Sequence, residues 1–198
     1  MEGLREAASE VVETQLGRIQ PLLQRVYARI DPHPSFRDVN FSTRFSYRRG
    51  RVSAAVSDSL ANKSTELPAT VLSSSQMNAL AVSIFLAFNL GIPAIPLNTA
   101  MLDDPLQSLD DVNLLGLIDL LRRTKDTRQL IISTHDIRFG DLLERKLRPV
   151  AQSQRTRILK FEGWNREGPI VNGHDVSGDY IPLRIAVWFC IGGSVRYT

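Results

Sequence analysis

The sequence contains a single cysteine, Cys190, in 198 residues. No intramolecular disulfide and no cysteine-based metal framework can form, which fits a reducing cytoplasm. No glycine is followed by Lys-Ser or Lys-Thr anywhere in the chain, so the glycine-rich loop that cradles phosphates in P-loop proteins is missing. Long apolar runs are missing too: the most apolar stretch, Ile181 to Gly193, is interrupted by Pro182 and Arg184 and is too short to span a bilayer as a helix. No secretion signal opens the sequence, and no internal repeat or low-complexity tract occurs beyond three serines at 73 to 75.

What is present is enough for a core. With 43% hydrophobic residues the chain can bury one, and its length favours a single unit. The formal charge is only +3, but Arg48-Arg49-Gly50-Arg51 and Arg145-Lys146-Leu147-Arg148 gather cations locally. Such clusters are usually solvated surface, and they also suit a nucleic-acid or phosphate partner.

Val12, Leu16, Ile19, Leu23, Val26 and Ile30 alternate spacings of four and three, which describes either a coiled-coil seam or an ordinary amphipathic helix. Pro21 lies inside the pattern and predicts a kink or a restart. Asp31-Pro32-His33-Pro34 then ends helical geometry. Val39, Phe41, Thr43, Phe45 and Tyr47 alternate with polar residues, and Arg48-Arg49-Gly50 turns into a second strand over Arg51 to Val56, a β-hairpin. Asp58 to Thr70 reads as a loop and Met77 to Leu90 as a helix capped by Ser73, Ser74 or Ser75. Ile95 to Leu102 is apolar enough for a strand buried on both faces, with Pro96 near its start. A helix over Val112 to Arg123, a strand over Gln129 to Ser133 and a helix over Ile137 to Lys146 follow. Alternating strands and helices predict a parallel sheet, with ligands beyond the carboxyl ends of its strands. From Gly173 onward no element is evident, and Ile181 to Cys190 is open to reading as an edge strand, a partner-binding segment or poorly folded sequence.

Both predicted strands end in capable chemistry. Leu102-Asp103-Asp104-Pro105 places two carboxylates at a strand end, one able to hold Mg²⁺ and one able to orient an attacking water, although an Asp-Asp-Pro turn alone is common. Ile131-Ile132-Ser133-Thr134-His135-Asp136 ends the next strand with a histidine able to donate to a phosphate oxygen, although a lone histidine is usually structural. Leu72-Ser73-Ser74-Ser75-Gln76 opens a helix, which is ordinary capping or an anion site. Ser108-Leu109-Asp110 by itself is a helix cap.

In this order the four segments resemble the signature, Walker B, D-loop and H-loop of ABC-type ATPase heads in the P-loop NTPase superfamily. Together with Ile30-Asp31-Pro32-His33-Pro34-Ser35-Phe36 and Leu102 to Asp111, they look most like SMC-type and RecN-like DNA-repair ATPases. The resemblance runs from about Val12 to Pro169, taking in Phe161 to Pro169 as a closing strand and turn.

The resemblance implies an α/β fold: the C-terminal lobe of a P-loop ABC ATPase head, a mostly parallel sheet flanked by helices, with an N-terminal coiled-coil-like helix and a β-hairpin. Residues 1–30 would end the coiled-coil-like helix, 31–170 form the lobe, and 171–198 form a tail of unknown structure. It implies ATP and Mg²⁺ as cofactors, with Asp103 at the metal and Asp104 and His135 as catalytic residues. Ser73, Ser74, Ser75, Gln76 and Asp110 would reach the nucleotide of a partner head across a dimer. The implied partner is a Walker A lobe or a full-length homologous head, with DNA as a further partner, no membrane and a cytoplasmic location. The chain would be a C-terminal fragment, a split-gene subunit or a degenerate remnant. Ser74 and Ser75 stand where the usual signature has glycines, and Asp104 where glutamate is usual, which implies looser phosphate contact and slower turnover. Two other classes remain: a non-catalytic interaction module, and a metal-dependent phosphoesterase built on Asp103, Asp104, Asp110, Asp111, His135 and Asp136.

Overall fold

A computed structural model describes residues 2–30, 33–46, 49–92, 96–105, 111–151, 154–176 and 186–190. The chain divides into two compact units rather than the one that length suggests: Met1–Ile95 with Ser108–Asn113, and Pro96–Gln107 with Leu114–Thr198.

The first unit opens with helix α1, Glu2–Ile30, which continues through Pro21 without the predicted restart. Pro21 is exposed, whereas Leu16, Ile19, Leu23, Val26 and Ile30 of the predicted seam are buried. Ile19 and Leu23 join Tyr27 in a cluster with Val39, Val56, Leu72, Leu80 and Ala87, so this part of the seam packs inside its own unit. Fully burying side chains of this size contributes about 1.5–3 kcal/mol each.

The predicted hairpin forms from strands β1, Asp38–Ser46, and β2, Arg49–Asp58, antiparallel with Val39 opposite Val56, but Arg49 and Gly50, predicted to turn, already pair with Ser46 and Phe45, and Tyr47 and Arg48 lie outside the described residues. The predicted loop after it holds a short third strand, β3, Lys63–Thr65, and a 3₁₀ turn at Pro68–Thr70. β1 lies at an edge of this sheet, and α1 covers its ladder with two glutamines one turn apart. Gln24 accepts from the Val39 amide at 2.8 Å and donates to the Arg37 carbonyl at 2.8 Å. Gln20 accepts from the Phe41 amide at 3.0 Å and donates to the Val39 carbonyl. The side-chain amides therefore stand in for a neighbouring strand and satisfy an otherwise open edge. His33 turns the chain into β1 by accepting from the amides of Ser35 and Phe36 at 3.0 and 2.9 Å. Helix α2, Ser74–Gly91, completes the unit and buries Ala79, Leu80, Val82, Ser83, Leu86 and Ala87.

The second unit contains β4, Thr99–Asp103, helix α3, Asp111–Thr124, from Leu114 onward, β5, Gln129–Ser133, and α4, Ile137–Lys146. Strands β6, Arg157–Asn165, β7, Gly168–Asp175, and β8, Ala186–Cys190, follow. The sheet order is β4-β5-β8-β6-β7. β4 pairs parallel with β5, β5 with β8 and β8 with β6, and only β7 runs antiparallel. The mostly parallel sheet is as expected, with Leu130, Ile132, Leu117, Leu121, Phe139, Leu143 and Ile158 buried in this unit.

Three expectations need correcting. The strand predicted over Ile95 to Leu102 begins only at Thr99; Pro96, which lacks an amide hydrogen, lies before it in a bend. It is buried on one face, not two: Ala100 and Leu102 are buried while Met101 is 66% exposed, and its cross-strand partner Ile131 is only half-buried, so that face is poorly covered here. Finally, Ile181 to Cys190 does not supply an edge strand; its described part, β8, lies in the interior between β5 and β6.

Candidate functional site

β4 and β5 are both five residues long and end in register, with Asp103 opposite Ser133. That pairing brings together two segments thirty residues apart in sequence. The Asp104 amide donates to the Ser133 carbonyl at 2.9 Å, extending the ladder one step past the strand. The chain then leaves through a left-handed conformation at Asp104, φ 43°, a region where aspartate is among the better-tolerated non-glycine residues.

The turn directs both carboxylates back to the end of β5. The Ser133 hydroxyl donates to Asp103 Oδ1 in a short contact. Thr134 Oγ1 donates to Asp104 Oδ1 at 3.2 Å, and His135 Nδ1 lies 2.6 Å from Asp104 Oδ2. His135 is 64% exposed and Asp104 18%, so the histidine forms the outer wall of the pair. With Nδ1 bound to the carboxylate, Nε2 is the nitrogen left to meet a phosphate oxygen.

The residues missed at the sequence level are Ser133 and Thr134. Each was visible inside the strand-ending segment, but its role depends on the β4–β5 register, which only tertiary pairing sets. Asp136 takes a different role from that imagined for a two-metal site: its Oδ1 accepts from the amides of Arg138 and Phe139 at 2.8 and 3.1 Å, capping α4.

Asp103 is exposed, and its Oδ2 takes no hydrogen bond from any described residue. One carboxylate beside a hydroxyl is a hard oxygen donor set of the kind Mg²⁺ uses together with water and substrate phosphates. The donors at this strand end therefore fit Mg²⁺. Among the described residues no group of three or more His, Cys, Asp or Glu could hold a metal by itself.

Ser73, in the other unit, is resolved as the cap of α2. Its hydroxyl accepts from the Gln76 amide at 3.3 Å while Gln76 Oε1 accepts from the Ser73 amide at 2.9 Å, a reciprocal capping box. The amides of Ser74 and Ser75 take no hydrogen-bond partner among the described residues, as expected for the first turn of a helix. Ser108, Leu109 and Asp110, the predicted D-loop, lie outside the described residues, as does the side chain of Asp111.

The backbone resembles known structures closely enough to place the fold. An Smc head bound to the C-winged helix domain of ScpA superposes with a TM-score of 0.61 over 85% of this chain and 45% of that one, at 14% identity. The fold is that of an SMC head domain. The Smc head with coiled coil and joint from Pyrococcus yayanosii gives 0.59 over 89% of this chain and 30% of that chain, at 14% identity. An SMC ATPase described for ATP-driven dimerization and DNA-stimulated activation gives 0.55 over 85% of this chain and 89% of its own length, at 16% identity. The chain thus spans less than half of the first of these heads. No family model matches the sequence, and no curated protein matches it significantly. Among the described residues no helix is long and apolar enough to cross a membrane.

Proposed function

We propose that the chain is the C-terminal half of an ATP-binding and hydrolysing head of the SMC/RecN-like kind, working in DNA repair or genome defence. A Walker A lobe, in cis or in trans, completes it. The observation that carries this reading is the convergence of Asp103, Ser133, Asp104, Thr134 and His135 at the carboxyl ends of two parallel strands, where open α/β sheets bind ligands. On this reading 1–30 ends a coiled-coil-like helix, 31–170 forms the lobe, and 171–198 adds the end of β7 and all of β8. The setting is cytoplasmic.

Asp103 would hold Mg²⁺, which supplies charge neutralisation to the phosphates. Asp104 orients the attacking water. Thr134 and His135 fix its carboxylate, and each hydrogen bond limits the rotation that would blur the attack geometry. His135 presents Nε2 to the γ-phosphate and donates there when both ring nitrogens carry a proton. Ser73, with the amides of Ser74 and Ser75 and the neighbouring Gln76, meets the nucleotide held by a partner head, where a helix N-terminus favours anions. Asp110 makes the contact across the dimer on the resemblance alone. The likeness to an SMC ATPase that dimerizes with ATP supports this arrangement.

The test is ATP-dependent association. Reconstituted with a Walker A lobe, the wild-type chain dimerises on adding ATP, read by light scattering, and Ser73→Arg stays monomeric. Association that ignores ATP, or a Ser73→Arg variant that dimerises normally, contradicts the reading.

One observation favours a second reading, a non-catalytic interaction module. Both oxygens of Asp104 are engaged within the chain, one by Thr134 and one by His135, which could hold the carboxylate away from water altogether. In that case Asp104→Asn leaves the turnover of the reconstituted assembly unchanged.

A further inference from the structure

In the sheet of the second unit, β8 is the strand inserted out of chain order. Without it the described strands follow in sequence, and β5 and β6 face each other across a gap one strand wide. β8 runs parallel to both flanks, so the gap is shaped for a strand whose carboxyl end emerges at the pole of Asp104 and His135.

The fit of β8 to its two flanks is unequal. Toward β6 the pairing is complete, from Arg157 opposite Ala186 to Phe161 opposite Cys190. Toward β5 it stops after Ile131 opposite Ala186 and Ile132 opposite Val187. β5 pairs with β4 over its whole length, Gln129 to Ser133, so the contrast lies in β8 and not in β5. Trp188, Phe189 and Cys190 have register partners on β6 alone. The ladder between β5 and β8 thus runs out just before Ser133, Thr134 and His135.

The connection into β8 is also longer than its crossing requires. Arg157 is the register partner of both Asp175 in β7 and Ala186 in β8. Those two residues therefore lie on either side of β6, two strand spacings or about 10 Å apart. The Val176 amide donates to the Thr156 carbonyl at 2.8 Å and fastens the end of β7. A chain the length of 177–185 reaches about 30 Å when extended. β8 can therefore leave the sheet while β6 and β7 stay paired.

We propose that the gap between β5 and β6 is an acceptor for a strand of the completing Walker A lobe, and that β8 fills it until that strand takes its place. The inference rests on the ATPase reading. A phosphate-cradling loop follows directly on a strand, and a strand laid parallel to β5 in this gap sends its loop out beside His135. Exchanging one strand for another conserves the backbone ladder, so an incoming strand that pairs further along β5 than β8 does is favoured. The outer edge of β4 also accepts a parallel strand, but β4 itself separates that position from β5 and His135.

The test follows amide hydrogen exchange in the wild-type chain before and after a Walker A lobe is added, with association read by light scattering on the same samples. Amides of 186–190 lose protection by at least about tenfold on assembly, while those of 129–133 and 157–161 keep theirs. A covalent lock provides the second arm. Cys190 is the single native cysteine and the register partner of Phe161, so Phe161→Cys sets two thiols on adjacent strands at a separation that a disulfide spans. Once loss of free thiol confirms the bond, the oxidised variant fails to associate and reduction restores association; Phe161→Cys/Cys190→Ser associates under both conditions. Association with β8 still protected, or association by the oxidised variant, overturns the proposal and leaves the ATPase reading standing. A wild-type chain that does not associate at all overturns both.

Discussion

Two polar clusters, one in each unit, solve different problems. At the start of α2, Ser73 and Gln76 satisfy each other within four residues, and the arrangement is what any well-capped helix needs. At the ends of β4 and β5, Asp103, Asp104, Ser133, Thr134 and His135 bond across two strands thirty residues apart, with Thr134 buried and the others reached by solvent to differing degrees. The contrast teaches where local need ends: the serine cap is explained by its own helix, while the strand-end cluster depends on tertiary register and is where the proposed function places the ligand.

The comparison also predicts how each region breaks. The largest effects belong to the two cores. Leu23→Ala and Leu130→Ala, both fully buried, should each cost about 2–5 kcal/mol. If the units unfold separately, hydrogen exchange will show each loss in its own unit only; loss of protection in both from either substitution would show a single cooperative core.

Ser73→Ala should remove the cap of α2 and cost about 1 kcal/mol, while Ser73→Asp keeps a capping oxygen and stays within about 0.5 kcal/mol of wild type. The aspartate should nevertheless block ATP-driven association, since it places a negative charge where the partner's nucleotide is to sit. Denaturant melts and light scattering on the same samples separate the two roles. If Ser73→Asp still dimerises, Ser73 is a cap and nothing more.

Asp104→Gly should relieve the left-handed backbone while losing the bonds to Thr134 and His135, so its stability should stay within about 1 kcal/mol of wild type. A much larger loss in a urea melt would mean that the cluster holds the fold together, and the contrast drawn above would fail.

The smallest effect concerns Lys125. Burial lowers its pKa below the usual lysine value. The unfolded chain therefore binds the proton more tightly between the folded value and 10.5, and stability rises as pH climbs through that window. Lys125→Met should flatten the rise in alkaline urea melts; an unchanged profile would show that the ammonium is not desolvated.

Much of this was legible from short-range pattern. The hairpin announced itself through alternation, although Arg49 and Gly50, read as its turn, belong to β2, and α2 through Ser73 to Gln76, because period and capping are set by neighbours in sequence. The strand-helix-strand order around Asp103 and Ser133 followed from the same signals. What stayed hidden was long-range. β8 gives no sign in sequence that it lies between β5 and β6 rather than at an edge. The apolar run at Ile95 to Leu102 reads as doubly buried, yet Met101 is exposed because little packs on its face of β4, a matter of tertiary layering that local pattern does not carry. Two of the five residues at the strand ends, Ser133 and Thr134, acquire their roles through register alone.

The most direct test of the central claim is Mg²⁺-ATP turnover measured for the chain alone, for the chain with a Walker A lobe, and for that mixture carrying Asp104→Asn. The account predicts no turnover alone, turnover in the mixture, and a loss of at least about a hundredfold with Asp104→Asn. Undiminished turnover in the Asp104→Asn mixture would contradict it.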